Sequence, residues 1–158
     1  MGINVINKMF DLETTILNFE SFDSDDFLDK ISDILYEKGY VKGSFKSAIL
    51  NREHEYPTGL PTKGIKVAMP HTDIEHALKP TIAVIKFAHP VPFKEMGNGI
   101  NIVNADLAFV LVVTELKSQV DTLQTLMELF CNEDSLKRIY LSNTKESLYN
   151  AVLSELIW

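Results

Sequence analysis

Four histidines, His54, His71, His76 and His89, and a single cysteine, Cys131, are the side chains of this 158-residue chain best suited to nucleophilic chemistry near neutral pH. Imidazole has an ordinary pKa of about 6.5, so a large share is unprotonated at pH 7. Of the four, only His71 stands behind a proline at the end of an apolar segment, Val67-Ala68-Met69-Pro70-His71-Thr72-Asp73. A histidine held at a strand end, after a loop rich in glycine and proline, sits where function concentrates; a satisfied structural histidine is the alternative. His71, Asp73 and His76 can also be read as metal ligands, but their spacing matches no standard zinc motif and offers three ligands only, so no metal is expected. Cys131 follows the apolar face of a helix and reads as a buried helix residue rather than a nucleophile. His54 and His89 read as solvated or structural.

The elements that carry His71 are marked by turn chemistry. Pro57 to Gly64 holds two prolines and two glycines in eight residues and reads as a loop. Ile65 to Met69 alternates as a short strand, and Thr72 or Asp73 can cap a brief helix through Leu78, before Pro80. Upstream, Thr15 to Phe19 reads as a short strand. A helix follows with Ser24 as its cap, Phe27, Leu28, Ile31, Ile34 and Leu35 on one face, and Gly39 as its stop. A second helix, from about Ser44 through Glu53, has Phe45, Ala48 and Ile49 inward and Arg52 in its last turn.

Downstream, Thr81 to Ala88 reads as a strand, with His89 to Phe93 as a connection. Leu107 to Val113 is a continuous apolar run, the pattern of a central strand covered on both faces. Val120, Leu123, Leu126, Met127 and Phe130 recur at helical spacing, Leu136, Ile139 and Tyr140 suggest a short helix, and Asn143 with Glu146 resembles a capping box opening a last helix with Leu148, Val152 and Leu156 inward. Alternating helices and strands predict an α/β fold, and the length predicts one domain over 1–158.

Composition narrows the function. The net charge of −7 argues against nucleic acid and anionic membranes as partners, since both need basic surface. The charge is uneven: residues 1–30 carry seven acids and two bases, 31–104 seven acids and nine bases, and 105–158 eight acids and four bases. A slightly basic middle can handle a small anion, or it is chance. No apolar run approaches the roughly 18 residues of a spanning helix, the amino terminus does not read as a secretory signal, and a lone cysteine fits a reducing compartment. A cytoplasmic location is expected.

The words Arg52-Glu53, Pro57-Thr58-Gly59 and Val67-Ala68-Met69-Pro70-His71-Thr72-Asp73 together resemble the enzyme IIA components of the bacterial phosphoenolpyruvate-dependent sugar phosphotransferase system, of the mannitol/fructose type. The resemblance runs over residues 15–155, and Pro-Thr-Gly-Leu together with His76 is most similar to the galactitol-type members. It implies a single α/β domain, a mixed β-sheet flanked by helices. It further implies that His71 accepts phosphate from a histidine-containing phosphocarrier protein and passes it to the cysteine of a cognate IIB component, with a membrane IIC component involved indirectly and no cofactor. Mannitol- and fructose-type relatives often carry a second histidine at the start of the helix after the central strand, a place that Gln119 holds here; what steadies the phosphorylated ring is then open.

Physical chemistry agrees with that role. Phosphoryl transfer has a loose transition state, so the protein's work lies in positioning and in stabilising charge on the equatorial oxygens. Arg52, always charged and presenting a planar fork, is the candidate for phosphate stabilisation; its alternative is to complement a helix C-terminus. Backbone N–H groups of Thr72 and Asp73 could bind the same oxygens. Lys63 and Lys66, flanking Gly64, are candidate partner contacts, with ordinary solvated lysines as the equal alternative. A regulatory protein in which phosphorylation of His71 is a signal rather than a transport step is the competing function.

Overall fold

The computed structural model describes residues 6–156. Five strands form one mixed sheet in the order β1-β4-β5-β3-β2. β1 (Phe10–Phe19) lies parallel to β4 (Thr81–Lys94), which runs antiparallel to β5 (Ile102–Val112). β5 pairs in parallel with β3 (Val67–Ala68), and β3 pairs antiparallel with β2 (Gly59–Leu60) at the edge.

The uniform apolar run of β5 has the expected cause: it is the middle strand, covered on both faces. Leu107, Phe109 and Leu111 join one core, with Leu126, Leu129 and Phe130 of helix α3 (Leu116–Phe130), Leu136 and Ile139 of α4 (Glu133–Tyr140), and Leu148 and Val152 of α5 (Lys145–Glu155). Ala108, Val110 and Val112 face the other core, with Phe27, Leu28, Ile31 and Leu35 of α1 (Ser24–Glu37) and Phe45 and Ile49 of α2 (Phe45–Glu55). The result is the expected α/β fold, a sheet between two helical layers.

Local differences from the sequence reading have local causes. β1 begins at Phe10, well before Thr15: Glu13 is exposed, Asp11 Oδ2 accepts from the buried Tyr40 hydroxyl at 3.1 Å, and the Thr14 and Thr15 hydroxyls satisfy themselves on the Asp11 carbonyl oxygen, at 3.3 and 2.7 Å. Asp23, not Ser24, caps α1, its Oδ1 accepting the Asp26 N–H at 2.9 Å; a residue further on, Ser24 is already helical. Thr144 and Ser147, not Asn143 and Glu146, form the capping box of α5. β4 continues through His89 to Phe93, expected to be a connection. Lys86 faces Leu107 and Val91 next faces Ala105, so residues 87–90 bulge. Pro90 sits in that bulge, and beyond Phe87, where β1 has ended, β4 has one partner strand only, so a missing N–H is tolerated.

Candidate functional site

The site stands at the carboxyl end of β3. That strand is two residues long but keeps its direction, since Leu111 N–H donates to the Pro70 carbonyl at 3.1 Å and His71 bridges to Leu111 in parallel. His71 is thereby fixed beside the central strand. Its Nδ1 lies 3.0 Å from the carbonyl oxygen of Met69. A carbonyl oxygen only accepts, so Nδ1 carries the proton in the neutral ring and Nε2 keeps its lone pair. Burial lowers the His71 pKa below 6.5, and the nearby Arg52 charge lowers it further, while the Met69 bond and Asp73 oppose them. The ring is therefore mostly neutral at pH 7, with the Nε2 lone pair available.

Arg52 and His71 line one cleft of about 510 Å³, with Tyr56, Thr58, Met69 and Met127 among the other walls. Arg52 extends from the last turn of α2, its guanidinium carbon 4.6 Å from the Tyr56 ring centroid, a stacking contact that steadies the fork. Its Nε is buried and has no hydrogen-bond partner within the protein, so the cleft that His71 lines also holds a donor free to take an acceptor. A phosphoryl oxygen is an acceptor of the right kind.

Arg52 also borders a second, polar groove of about 420 Å³, which it shares with Asn51, Thr72, Asp73 and His76. Thr72 and Asp73 therefore lie across Arg52 from the main cleft. The helix expected from Thr72 or Asp73 through Leu78 is a single 3₁₀ turn, Ile74–His76, without a side-chain cap; one such turn has too few aligned peptides to offer the anion site that a helix N-terminus makes. Gln119, in the first turns of α3, donates its Nε2 N–H to the Thr72 carbonyl at 2.9 Å. It thus reaches the His71 segment.

Lys63 and Lys66 are not brought to the cleft. β3 runs from Lys66 toward His71, five residues or roughly 16 Å away at strand rise. Lys66 is tied down there, its N–H on Asp106 Oδ2 at 2.9 Å and its Nζ on the Thr62 carbonyl at 3.0 Å. His54 binds Asp25 Oδ1 at 2.7 Å, His76 binds Ser44 Oγ at 2.8 Å through Nδ1, and His89 is exposed on the β4 bulge. Cys131 is exposed, not buried, because α3 ends at Phe130 and the cysteine is already its C-cap. Among the described residues no group of three or more His, Cys, Asp or Glu side chains gathers as metal ligands.

Two features escaped the sequence reading. One is Glu53, which falls on the inward stripe of α2 with Phe45 and Ile49 and is buried at 5% exposure. Its Oε2 accepts the Thr58 N–H at 2.8 Å and its Oε1 accepts the Thr58 hydroxyl at 2.9 Å. Burial pushes its carboxyl up to about 7, against the opposing pull of those two bonds. The signal was an acid at an inward helical position. The other is a second apolar stripe on α3. The core takes Leu126, Leu129 and Phe130, whereas Val120 is 61% exposed, Leu123 is partly buried, and Leu123 and Met127 line the cleft with Met96. Two apolar stripes on one helix announced two contact faces.

The chain is similar to known proteins over most of its length. A fructose-specific EIIABC component of the phosphotransferase system from Bacillus subtilis is 24% identical over 151 residues, 93% of this chain, which spans only 23% of that relative's length. A galactitol-specific EIIA component from Escherichia coli is 28% identical over 104 residues, covering 66% of this chain and 69% of its own. The complex of enzyme IIA for mannitol with phosphorylated enzyme IIB from Escherichia coli shares the fold, with a TM-score of 0.69 and 22% identity over 93% of this chain and 97% of that one. Residues 8–155, nearly all of the described fold and including Arg52 and His71, match the family described as "Phosphoenolpyruvate-dependent sugar phosphotransferase system, EIIA 2", and the chain belongs to that family.

Proposed function

We propose that the chain is a phosphoryl carrier domain, over 1–158, of a sugar phosphotransferase system. His71 Nε2 attacks the phosphorus of the phosphohistidine on a phosphocarrier protein: the new N–P bond forms as the donor's N–P bond breaks, and the donor imidazole leaves with its electron pair. In the second step a IIB thiolate attacks the same phosphorus, an S–P bond forms, and His71 regains its lone pair. Arg52 stabilises the charge on the transferring group in both steps. Thr72, Asp73 and Gln119 shape the segment that holds the ring.

One observation carries the reading: an imidazole whose Nδ1 is engaged by a carbonyl lines the same cleft as a buried, unpartnered arginine Nε. The galactitol relative supports a polyol as the sugar served, and the mannitol complex supports a IIB component as acceptor. No helix among the described residues is long and apolar enough to cross a membrane, which suits a carrier working in the cytoplasm beside a membrane IIC component. The test is incubation with phosphoenolpyruvate, enzyme I and phosphocarrier, followed by mass spectrometry. One acid-labile phosphate at His71 is expected, and its absence overturns the reading.

A further inference from the structure

We infer that Glu53 is a positioning residue for His71: its buried carboxylate fastens Thr58, and Thr58 holds Met69, whose carbonyl oxygen sets the imidazole. The inference rests on His71 as the phosphoryl acceptor and adds what orients it.

The linkage is continuous. Thr58 delivers both its N–H and its hydroxyl to Glu53, at 2.8 and 2.9 Å. The Thr58 carbonyl accepts the Met69 N–H at 3.3 Å, and the Met69 carbonyl accepts from His71 Nδ1 at 3.0 Å. Each bond belongs to a different peptide unit, so what passes along it is position rather than charge. Met69 precedes Pro70, which has no N–H, and the Met69 carbonyl is therefore oriented by its own N–H anchor on Thr58 and by the short β3.

The far side of Thr58 is equally constrained. A Cβ at Gly59 would meet the Lys94 carbonyl oxygen at 2.7 Å, so β2 is pressed against the end of β4 and cannot slide to restore a lost bond. On the near side Glu53 follows Arg52 directly. The same clamp thus closes the loop through Tyr56 and Pro57, which wall the cleft, and fixes the last turn of α2 from which Arg52 extends. A buried carboxylate is costly unless hydrogen-bonded, and both of its bonds go to one residue of the site.

Glu53→Ala, Glu53→Gln and Thr58→Val in the full chain test this, with two readouts: the rate of phosphate uptake from the phosphocarrier, and the tautomer of His71 from ¹⁵N imidazole shifts. E53A is expected to slow uptake by about 10- to 100-fold, the scale of a misplaced reacting group, and to give a mixed tautomer. E53Q is expected to recover the single tautomer and most of the rate, since its amide can accept from the Thr58 N–H while donating to the hydroxyl. A folded E53A with wild-type rate and tautomer, or E53Q as defective as E53A, overturns the inference. If E53A does not fold, T58V decides: a slower rate with a mixed tautomer supports the clamp, and wild-type values for both refute it. Wild-type protein that takes no phosphate refutes the carrier function instead, and the tautomer readout, which needs no phosphate, still decides the role of Glu53.

Discussion

His71 and Met69 are joined by a hydrogen bond of 3.0 Å from the ring Nδ1 to the carbonyl oxygen two residues upstream, so the backbone that places the histidine also selects which of its nitrogens keeps a free lone pair. Phosphate is therefore expected on Nε2, and ³¹P–¹⁵N coupling distinguishes the two nitrogens. His71→Ala should fold and accept no phosphate; full labelling of that variant at His54, His76 or His89 would remove His71 from the mechanism.

Arg52→Ala should separate rate from stability. Loss of a phosphate-stabilising charge is expected to slow transfer by roughly a hundredfold, whereas an arginine that only complements a helix end contributes about 0.3–1 kcal/mol. Arg52→Lys should restore part of the rate, because charge returns without the planar fork. Transfer kinetics of Arg52→Ala within a factor of two of wild type would make the residue structural.

Transfer should hold its rate into mildly acidic solution. Burial, then Arg52, depresses the His71 pKa below 6.5, so the acid limb of the pH–rate profile should have its midpoint below that value. Between the depressed folded pKa and 6.5 the unfolded chain binds more protons, and stability from this group rises with pH until about 6.5. His71→Ala removes that slope. An acid limb centred at or above 6.5 contradicts the burial argument.

Glu53 acts in the opposite direction. Its carboxyl is raised from 4.5 to about 7, so the folded chain binds the extra proton between those values and its stability falls as pH rises through them. At about 1.4 kcal/mol per unit, the loss above pH 7 is roughly 3 kcal/mol. Asp23, Asp25, His54 and Lys94 share the groove beside the carboxylate; His54 opposes the rise and Asp25 adds to it. Denaturation of Glu53→Gln and wild type at pH 4.5 and pH 8 should show the two diverging with pH, the variant being the more stable at pH 8. Parallel curves would show that folding does not raise the Glu53 pKa.

The phosphocarrier and the IIB component should compete for one surface, since both must reach Nε2 of the same ring. The apolar rim of Met96, Leu123 and Met127, with exposed Val120 beside it, is the expected shared footprint. Met127→Glu should weaken both complexes by about tenfold, the cost of an interface residue worth more than 1 kcal/mol, while charge reversal at Lys63 leaves them unchanged. Chemical-shift maps with two separate footprints, or one centred on Lys63 and Lys66, would refute this surface.

The residues proposed for the chemistry stood out in the sequence because their constraints are local. A proline-histidine pair behind an apolar strand sets its own backbone, an arginine in a last helical turn is recognisable from the prolines that must follow, and Leu107 to Val113 shows burial on both faces through uninterrupted apolarity. The α/β class followed from the same periodicities. Other features depend on what lies opposite in space. Prolines 90 and 92 read as breakers until β4 is known to have lost one neighbour there. The periodicity of α3 reveals apolar positions but not which stripe meets the sheet, so it does not separate Val120 and Met127 from the core residues Leu126 and Phe130. Lys66 is near His71 in sequence and at the other end of β3 in the fold, since a strand separates its ends by more than 3 Å per residue. Glu53 shows the division most clearly: its inward position is written in helical spacing, but whether a buried carboxylate is tolerated depends on two donors from Thr58 across a loop, and only the folded chain brings them within hydrogen-bonding distance.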